Sequence, residues 1–194
     1  MQPPLPKKLI LASSSPRRAE ILTTVGWTFE AKTAGIDESR KPNELPHDYV
    51  QRLAREKAEA VAALYEEGVV LGADTTVVVG EHLLGQPVDD DDARRMLQLL
   101  QGKWHDVLTG VALVQINGQT VVEYERSRVR FAEMTAKEIE WYVATGEPQG
   151  KAGAYAIQGK AALFIEEISG DYFNIVGLPI RLVYELARTI NSTI

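Results

Sequence analysis

The stretch KLILASSSPRR, residues 8–18, runs from an apolar segment through three serines and a proline into two arginines, where a helix-like pattern begins. Hydroxyls and guanidinium groups gathered at a strand-to-helix junction suit the binding of an anion. The first turn of a helix exposes unpaired N–H groups, and the helix dipole favours negative charge there. Ser13, Ser14 and Ser15 add hydroxyl donors, and Arg17 and Arg18 add forks that match phosphate oxygens. Cations in a first turn are otherwise disfavoured by roughly 0.3–1 kcal/mol, a penalty that a bound polyanion reverses. The same residues also fit a plain helix cap with two solvated arginines. Neither GxxxxGK[ST] nor GxGxxG occurs, so the common nucleotide-loop motifs do not apply.

A second candidate is Asp74 in LGADTTVVV, a carboxylate inside an otherwise apolar, β-branched run. An unpaired buried carboxylate is costly, so this one calls for a metal, a cation or a nearby surface. A strand-end residue hydrogen-bonded to a loop is the plainer reading. Gly72 allows a close backbone approach at the same place. Asp37 and Glu38, in the polar stretch GIDESRKPNELP, offer further oxygens of the kind that hard divalent ions such as magnesium prefer. Lys57 lies on an alanine-rich helical segment from which it could reach a phosphate, although periodicity alone favours a solvated position. Gln158 stands between short apolar runs beside Gly159, where its amide could read a base edge or satisfy backbone groups. Asp171 and Asn174 sit in a similar loop. The acidic run Asp89–Asp92 reads as a helix start with a solvated face. His47, His82 and His105 lack ligand spacing, and Trp27, Trp104 and Trp141 read as core or rim aromatics.

These residues must be positioned by a chain of 194 residues, enough for one domain or for two lobes sharing a core. The chain has no cysteine, which excludes disulfides, thiolate catalysis and Cys-based zinc sites. A net charge of −6 argues against a broad basic face for duplex nucleic acid and leaves room for a local anion pocket. The leader MQPPLPKKLILA lacks the apolar length of a signal peptide, and no apolar run approaches 18 residues, so a soluble cytoplasmic protein is expected. A symmetric homodimer is compatible with such a protein.

KLILA reads as a short buried strand, and SPRRAEILTTVG as a helix with Ser15 as N-cap, Pro16 at its first position and Gly26 closing it. WTFEAKTA is a candidate strand and residues 35–46 a long loop. Helical spacing of apolar residues predicts a helix from His47 to Glu67. Residues 69–73 and 75–79 read as strand segments flanking Asp74, and residues 88–102 as a helix. Two long strands turn at Asn117-Gly118, a hairpin signal. A helix from Thr135 carries capping-box spacing to Glu138. Residues 150–180 read as glycine-punctuated loop, strand, turn and loop, before a closing helix over 179–190. Alternating strands and helices with one hairpin predict a mixed α/β sheet with helices packed on it. Ser13–Arg18 then lie at the carboxyl end of a strand, where such sheets commonly bind ligands.

Taken together, LILASSSPRR, RLAREKA, GADTTVV, GKWHDVLTGV, GKAGAYAIQGKAALF and GDYFNIVGLPI resemble the Maf family of nucleoside triphosphate pyrophosphatases, in order and along nearly the whole chain. The resemblance implies a single Maf-like domain over residues 1–194, with two lobes sharing one elongated twisted sheet and a central cleft. It implies hydrolysis of a nucleoside triphosphate substrate to the monophosphate and pyrophosphate with a divalent cation, Mg²⁺ or Mn²⁺. It makes Asp74 the proton acceptor, with Lys57 beside it in catalysis and Asp37, Glu38 and Asp74 as metal ligands. Ser13, Ser15, Arg17, Arg18, Thr75 and Gln158 become substrate-binding residues. Arg17, Thr75 and Gln158 resemble the signature of the branch acting on dTTP and UTP, with CTP or modified pyrimidine nucleotides as further substrates. The branch acting on 7-methyl-GTP is the alternative. It usually carries tryptophan where Arg17 stands, serine before the aspartate where this chain has Ala73, and glutamate in the segment matching Gln158. A non-catalytic nucleotide-binding regulatory protein is the alternative of a different class. Gln86 stands where relatives often have lysine before proline, and Asp37 where many have glutamate.

Overall fold

The computed structural model describes residues 8–191; the first seven residues of the leader lie outside them. Seven strands form one mixed sheet of order β2-β1-β3-β5-β6-β7, with β4 paired to β3. In chain order these are β1 (Leu9–Leu11), β2 (Glu30–Ala31), β3 (Val69–Val79), β4 (His82–Leu84), β5 (Trp104–Gln115), β6 (Thr120–Phe131) and β7 (Ile165–Ser169). Strand β1 runs parallel to β2 and β3, whereas β4 on β3 and β7 on β6 are antiparallel. The helices are α1 (Pro16–Thr24), α2 (Pro46–Ala62), α3 (Asp90–Leu100), α4 (Ala136–Ala144), α5 (Tyr172–Val176) and α6 (Ile180–Asn191). The mixed α/β architecture expected from the sequence is thus present. Among the described residues no helix is long and apolar enough to cross a membrane.

The chain divides into two compact units. The first comprises residues 8–74, 109–125 and 177–191 of the described chain, and the second residues 75–108 and 126–176. In the first unit, Val50, Leu53, Ala54, Ala58 and Val61 bury one face of α2. Ala54, Ala58 and Val61 pack with Ile10, Val70, Ala112 and Val114 of β1, β3 and β5. The backbone of α2 meets glycines on the sheet. A Cβ on Gly72 would lie 2.1 Å from the Ala54 carbonyl oxygen, and one on Gly110 2.2 Å from that of Val50. Backbone therefore rests on backbone at both places, closer than any side chain allows.

The second unit encloses its own core, in which Leu97, Leu100, Phe131, Tyr142 and Tyr155 are prominent. Asp89 caps α3 by accepting from the Asp92 amide at 2.8 Å, while Asp91 and Asp92 pair with Arg94 and Arg95. The acidic run is a helix start, as read. Thr135 and Glu138 complete the capping box of α4.

Three expectations are corrected. Helix α2 begins at Pro46 and stops at Ala62 rather than Glu67. Leu64 and Tyr65 donate to the carbonyls of Val61 and Ala62 in a tightened turn, and Leu64, which prolonged the apolar period, is 57% exposed. Strand β2 contains only Glu30–Ala31, both exposed, so no buried face enforces a longer run. Residues 150–180 contain short 3-10 segments at Ala152–Ala154 and Lys160–Phe164 and helix α5 besides the expected strand. The Asp171 carboxylate starts α5 by accepting from the Phe173 amide at 2.7 Å. Asn174 lies in α5 and is buried, donating to Val107 O and Ser127 Oγ at 3.0 Å each.

Candidate active site

Leu11 of β1 pairs with Leu71 of β3, so the chain leaves β1 at Ala12 where β3 reaches Gly72 and Asp74. Helix α1 follows at once. Ser15 occupies its N-cap and Pro16 its first turn, yet the Ser15 side chain makes no capping hydrogen bond. Ser13 organises the bend instead. Its hydroxyl oxygen accepts from the Ser15 amide at 3.2 Å and from Arg18 Nη1 at 3.0 Å. Arg18 Nε donates to the carbonyl of Gly177 at 2.8 Å, fastening the first turn of α1 to the segment before α6. Arg18 Nε and Nη1 thus serve the protein itself. Burial lowers the Arg18 pKa, opposed by the charges of Asp74 and Glu38. Arg17 is half-buried, and desolvation likewise lowers its pKa.

Asp74 sits within β3, which runs through it without a break, and is 7% exposed. Alternation along the strand places it on the same face as Gly72, the face on which α2 lies. Lys57 is three residues along α2 from Ala54, the residue against Gly72, and therefore rides on the same helix face. Its ammonium donates to Asp74 Oδ1 at 2.7 Å and lies 3.0 Å from Glu38 Oε2. The Lys57 side chain is 17% exposed, so the solvated position favoured by periodicity is not the one it takes. Burial pushes the Asp74 carboxyl up, and Lys57 and Arg18 pull it back without cancelling the rise. A raised carboxyl is a better proton acceptor than an ordinary one, provided it is ionised at the working pH.

Glu38 is delivered by the polar loop before α2, and the fastening of that loop was not legible in the sequence. Tyr49 Oη donates to the Glu38 carbonyl at 3.0 Å, and Arg52 Nη2 donates to that of Ser39 at 3.0 Å. Arg52 also grips Glu44 through two hydrogen bonds, Nε to Oε1 at 2.6 Å and Nη2 to Oε2 at 2.9 Å. Its hydrogen bond holds the Glu44 carboxyl down to about 2. Arg52 also meets Glu56, four residues further along α2, at 3.0 Å, whereas the bridge to Glu44 depends on how the loop folds back.

The Asp37 carboxylate accepts from the Ser39 amide at 2.9 Å and from the Ser39 hydroxyl. Among the described residues no three of His, Cys, Asp and Glu gather as a metal centre, so Asp37, Glu38 and Asp74 are not brought together as one set. Glu38 and Asp74 do converge on one cationic position, that of Lys57 Nζ. Two carboxylates of this kind fit a magnesium-like ion, which usually takes one or two protein carboxylates and fills its shell with water and phosphate oxygens. Thr75 follows Asp74 on β3 and is half-buried. Gln158 is exposed in a turn of the second unit, closed by the Gly159 amide donating to Ala156 O at 3.0 Å. Gln86 is exposed at a bend after β4.

Fold and site together define a mixed α/β protein with a buried carboxylate–lysine centre beside a helix N-terminus. The family model for Maf-like proteins matches residues 8–190. The dTTP/UTP pyrophosphatase of Bacillus cytotoxicus is 51% identical over 183 residues, covering 94% of this chain and 95% of that one. That of Hahella chejuensis is 52% identical over 177 residues, covering 90% and 88%. The Staphylococcus aureus Ham1 protein superposes with a TM-score of 0.56 at 14% identity, covering 94% of this chain and 99% of that one, a likeness of fold alone. The chain belongs to the Maf family.

Proposed function

We propose that this chain hydrolyses dTTP and UTP to the nucleoside monophosphate and pyrophosphate. The observation that carries the chemistry is the buried Asp74 carboxylate, raised by desolvation and held 2.7 Å from the Lys57 ammonium. The substrate class comes from the relatives, which bear the name dTTP/UTP pyrophosphatase at about half identity over nearly the full chain.

Asp74 takes a proton from a water that attacks the α-phosphorus; the bond to the bridging oxygen breaks and pyrophosphate leaves. Lys57 keeps the carboxylate oriented and offers positive charge to the phosphates. The bend at Ser13–Ser15, with the first turn of α1 and Arg17, offers donors to the phosphate tail. Arg18 braces that bend through Ser13 and Gly177. Thr75 and Gln158 select the pyrimidine. Glu38 and Asp74 would hold a divalent cation, Mg²⁺ or Mn²⁺, whose charge offsets that of the triphosphate and its leaving group.

The test is product analysis with purified protein over normal, methylated and deaminated triphosphates, with magnesium or manganese. Equal amounts of pyrophosphate and monophosphate from dTTP and UTP support the reading. Preference for 7-methyl-GTP assigns the chain to the other branch, and tight nucleotide binding without turnover makes it a regulatory binder; either result overturns the proposal.

A further inference from the structure

We propose that Tyr142 and Glu147 form a clamp that fixes the Gln158 turn and thereby sets nucleobase selectivity. The inference rests on Gln158 as the base-reading residue. Gln158 itself is exposed, and its turn spans Ala156 to Gly159. Both shoulders of that turn are tied to one pair of side chains. On the leading side, the Ala156 amide donates to Tyr142 Oη at 3.3 Å. On the trailing side, the Glu147 carboxylate accepts from the Lys160 amide at 2.9 Å and the Ala161 amide at 3.2 Å. Tyr142 Oη donates to Glu147 Oε1 at 2.8 Å and joins the two sides.

The clamp is anchored in rigid structure. Tyr142 is fully buried on α4 within the core of the second unit. Thr145 Oγ1 donates to the Tyr142 carbonyl at 2.6 Å, and the Glu147 amide donates back to Thr145 Oγ1 at 3.2 Å, which leads the chain from the helix end to the carboxylate. The Lys160 and Ala161 amides open the 3-10 segment Lys160–Phe164, and the carboxylate takes the place of its missing cap. Burial raises the Glu147 carboxyl, but these amides and the Tyr142 hydroxyl outweigh it and the net shift is downward, so the group stays ionised. Gly159 belongs to the same device. A Cβ there would stand 2.4 Å from the Glu147 carboxylate, so a larger residue would push that carboxylate away from the amides it accepts from.

A side-chain amide distinguishes a uracil or thymine edge by presenting a donor and an acceptor together. It does so selectively only when its backbone is held, because a mobile reader adjusts to the wrong base at little cost. Tyr142 and Glu147 are therefore positioning residues, acting on the base through Gln158.

The test compares kcat/KM for UTP and GTP in Glu147→Gln, Tyr142→Phe, Gln158→Ala and the Glu147→Gln/Gln158→Ala double variant, each shown to be folded by its thermal transition. Tyr142→Phe keeps the ring in the core and removes only the hydroxyl, so it serves if Glu147→Gln fails to fold. The expected result is a loss of about tenfold or more in the UTP-over-GTP ratio in both clamp variants, with kcat on UTP kept within about threefold. The double variant should lose no more selectivity than Gln158→Ala alone, since residues acting through one contact are not additive. A clamp variant that keeps full selectivity while Gln158→Ala loses it overturns the clamp, as do additive losses in the double variant. Full selectivity in Gln158→Ala instead removes Gln158 as base reader, and the clamp's role in selectivity with it.

Discussion

Lys57 Nζ meets Asp74 Oδ1 at 2.7 Å because Gly72, two residues before the aspartate, lets α2 rest directly on β3. The ion pair is thus set by a backbone contact. Three positions along the helix from Ala54 and two along the strand from Gly72 lead to the same place, and the charges meet there. A buried carboxylate with one firm cationic partner has a fixed orientation, which suits a group that must take a proton from water.

Asp74→Asn keeps the shape of the side chain and removes its basicity. Turnover of UTP should fall by about 10²–10⁴-fold, the usual contribution of a general base. Nucleotide affinity measured without added divalent cation should change little, because the donors of the α1 bend are untouched. Parallel measurement of steady-state turnover and equilibrium binding separates the two, and full turnover in the variant would remove Asp74 from the chemistry.

The raised Asp74 carboxyl fixes the direction of the pH dependence. Turnover requires the ionised form, so the acid limb of the rate profile should lie above the ordinary aspartate value of 3.8. Burial is the larger influence and Lys57 opposes it, so Lys57→Met should move that limb to still higher pH. Stability follows the same linkage. The folded state holds the Asp74 proton more tightly than the unfolded chain, so this group's contribution is present below pH 3.8 and is lost as pH rises through the raised value. Asp74→Asn should flatten that part of the stability profile. An acid limb in Lys57→Met at or below that of the parent protein would contradict this electrostatic account.

Gly72→Ala tests how the pair is assembled. The new Cβ would lie 2.1 Å from the Ala54 carbonyl oxygen, a backbone atom that moves only with its helix. Overpacking of this kind costs about 1–3 kcal/mol, and displacement of α2 should also draw Lys57 from Asp74 and lower kcat. Gly35→Ala, whose Cβ would meet nothing within 4 Å, is the matched control and should leave both properties near the parent values. Chemical denaturation and kcat for the two variants provide the comparison.

Features governed by neighbouring residues were legible in the sequence. Ser15 and Pro16 start α1, Thr135 and Glu138 form the capping box, and Asn117, with a positive φ, turns the hairpin. Asp74 stood out because a charge inside an apolar run must be satisfied by something. The partner was not legible. Lys57 is 17 residues away on a helix whose periodicity also suits a solvated lysine, and the deciding fact is the closeness allowed at Gly72. The end of α2 is not legible because Leu64 continues the apolar period after the helix has stopped. Helix α5, five residues long, was too short to show a period and owes its start to the Asp171 side chain. The grip of Arg52 on Glu44 depends on a loop returning to its own helix, which no local spacing encodes.

Arg52 offers a test of that loop. Its guanidinium binds both oxygens of Glu44, donates to the Ser39 carbonyl and meets Glu56, so it ties the loop carrying Glu38 to α2. Arg52→Met keeps much of the stem and removes every one of these bonds. Hydrogen bonds to charged groups contribute about 1.5–3 kcal/mol, and a loss of that order should appear in chemical denaturation at neutral pH. The pH response identifies its source. The Arg52 hydrogen bond lowers the Glu44 carboxyl from 4.5 to about 2, so the stability from this pair is present above pH 4.5 and is lost as pH falls toward about 2. The gap between the parent protein and Arg52→Met should therefore narrow as the pH is lowered through that window. With the loop released, Glu38 no longer meets Lys57 in a fixed geometry, and kcat should fall while the protein remains folded. Arg52→Lys retains the charge but lacks the two-pronged fork, and it should recover only part of either loss. Full recovery by lysine would show that charge alone secures the loop, and a stability gap that does not change between pH 7 and pH 3 would show that Glu44 is not the partner that matters.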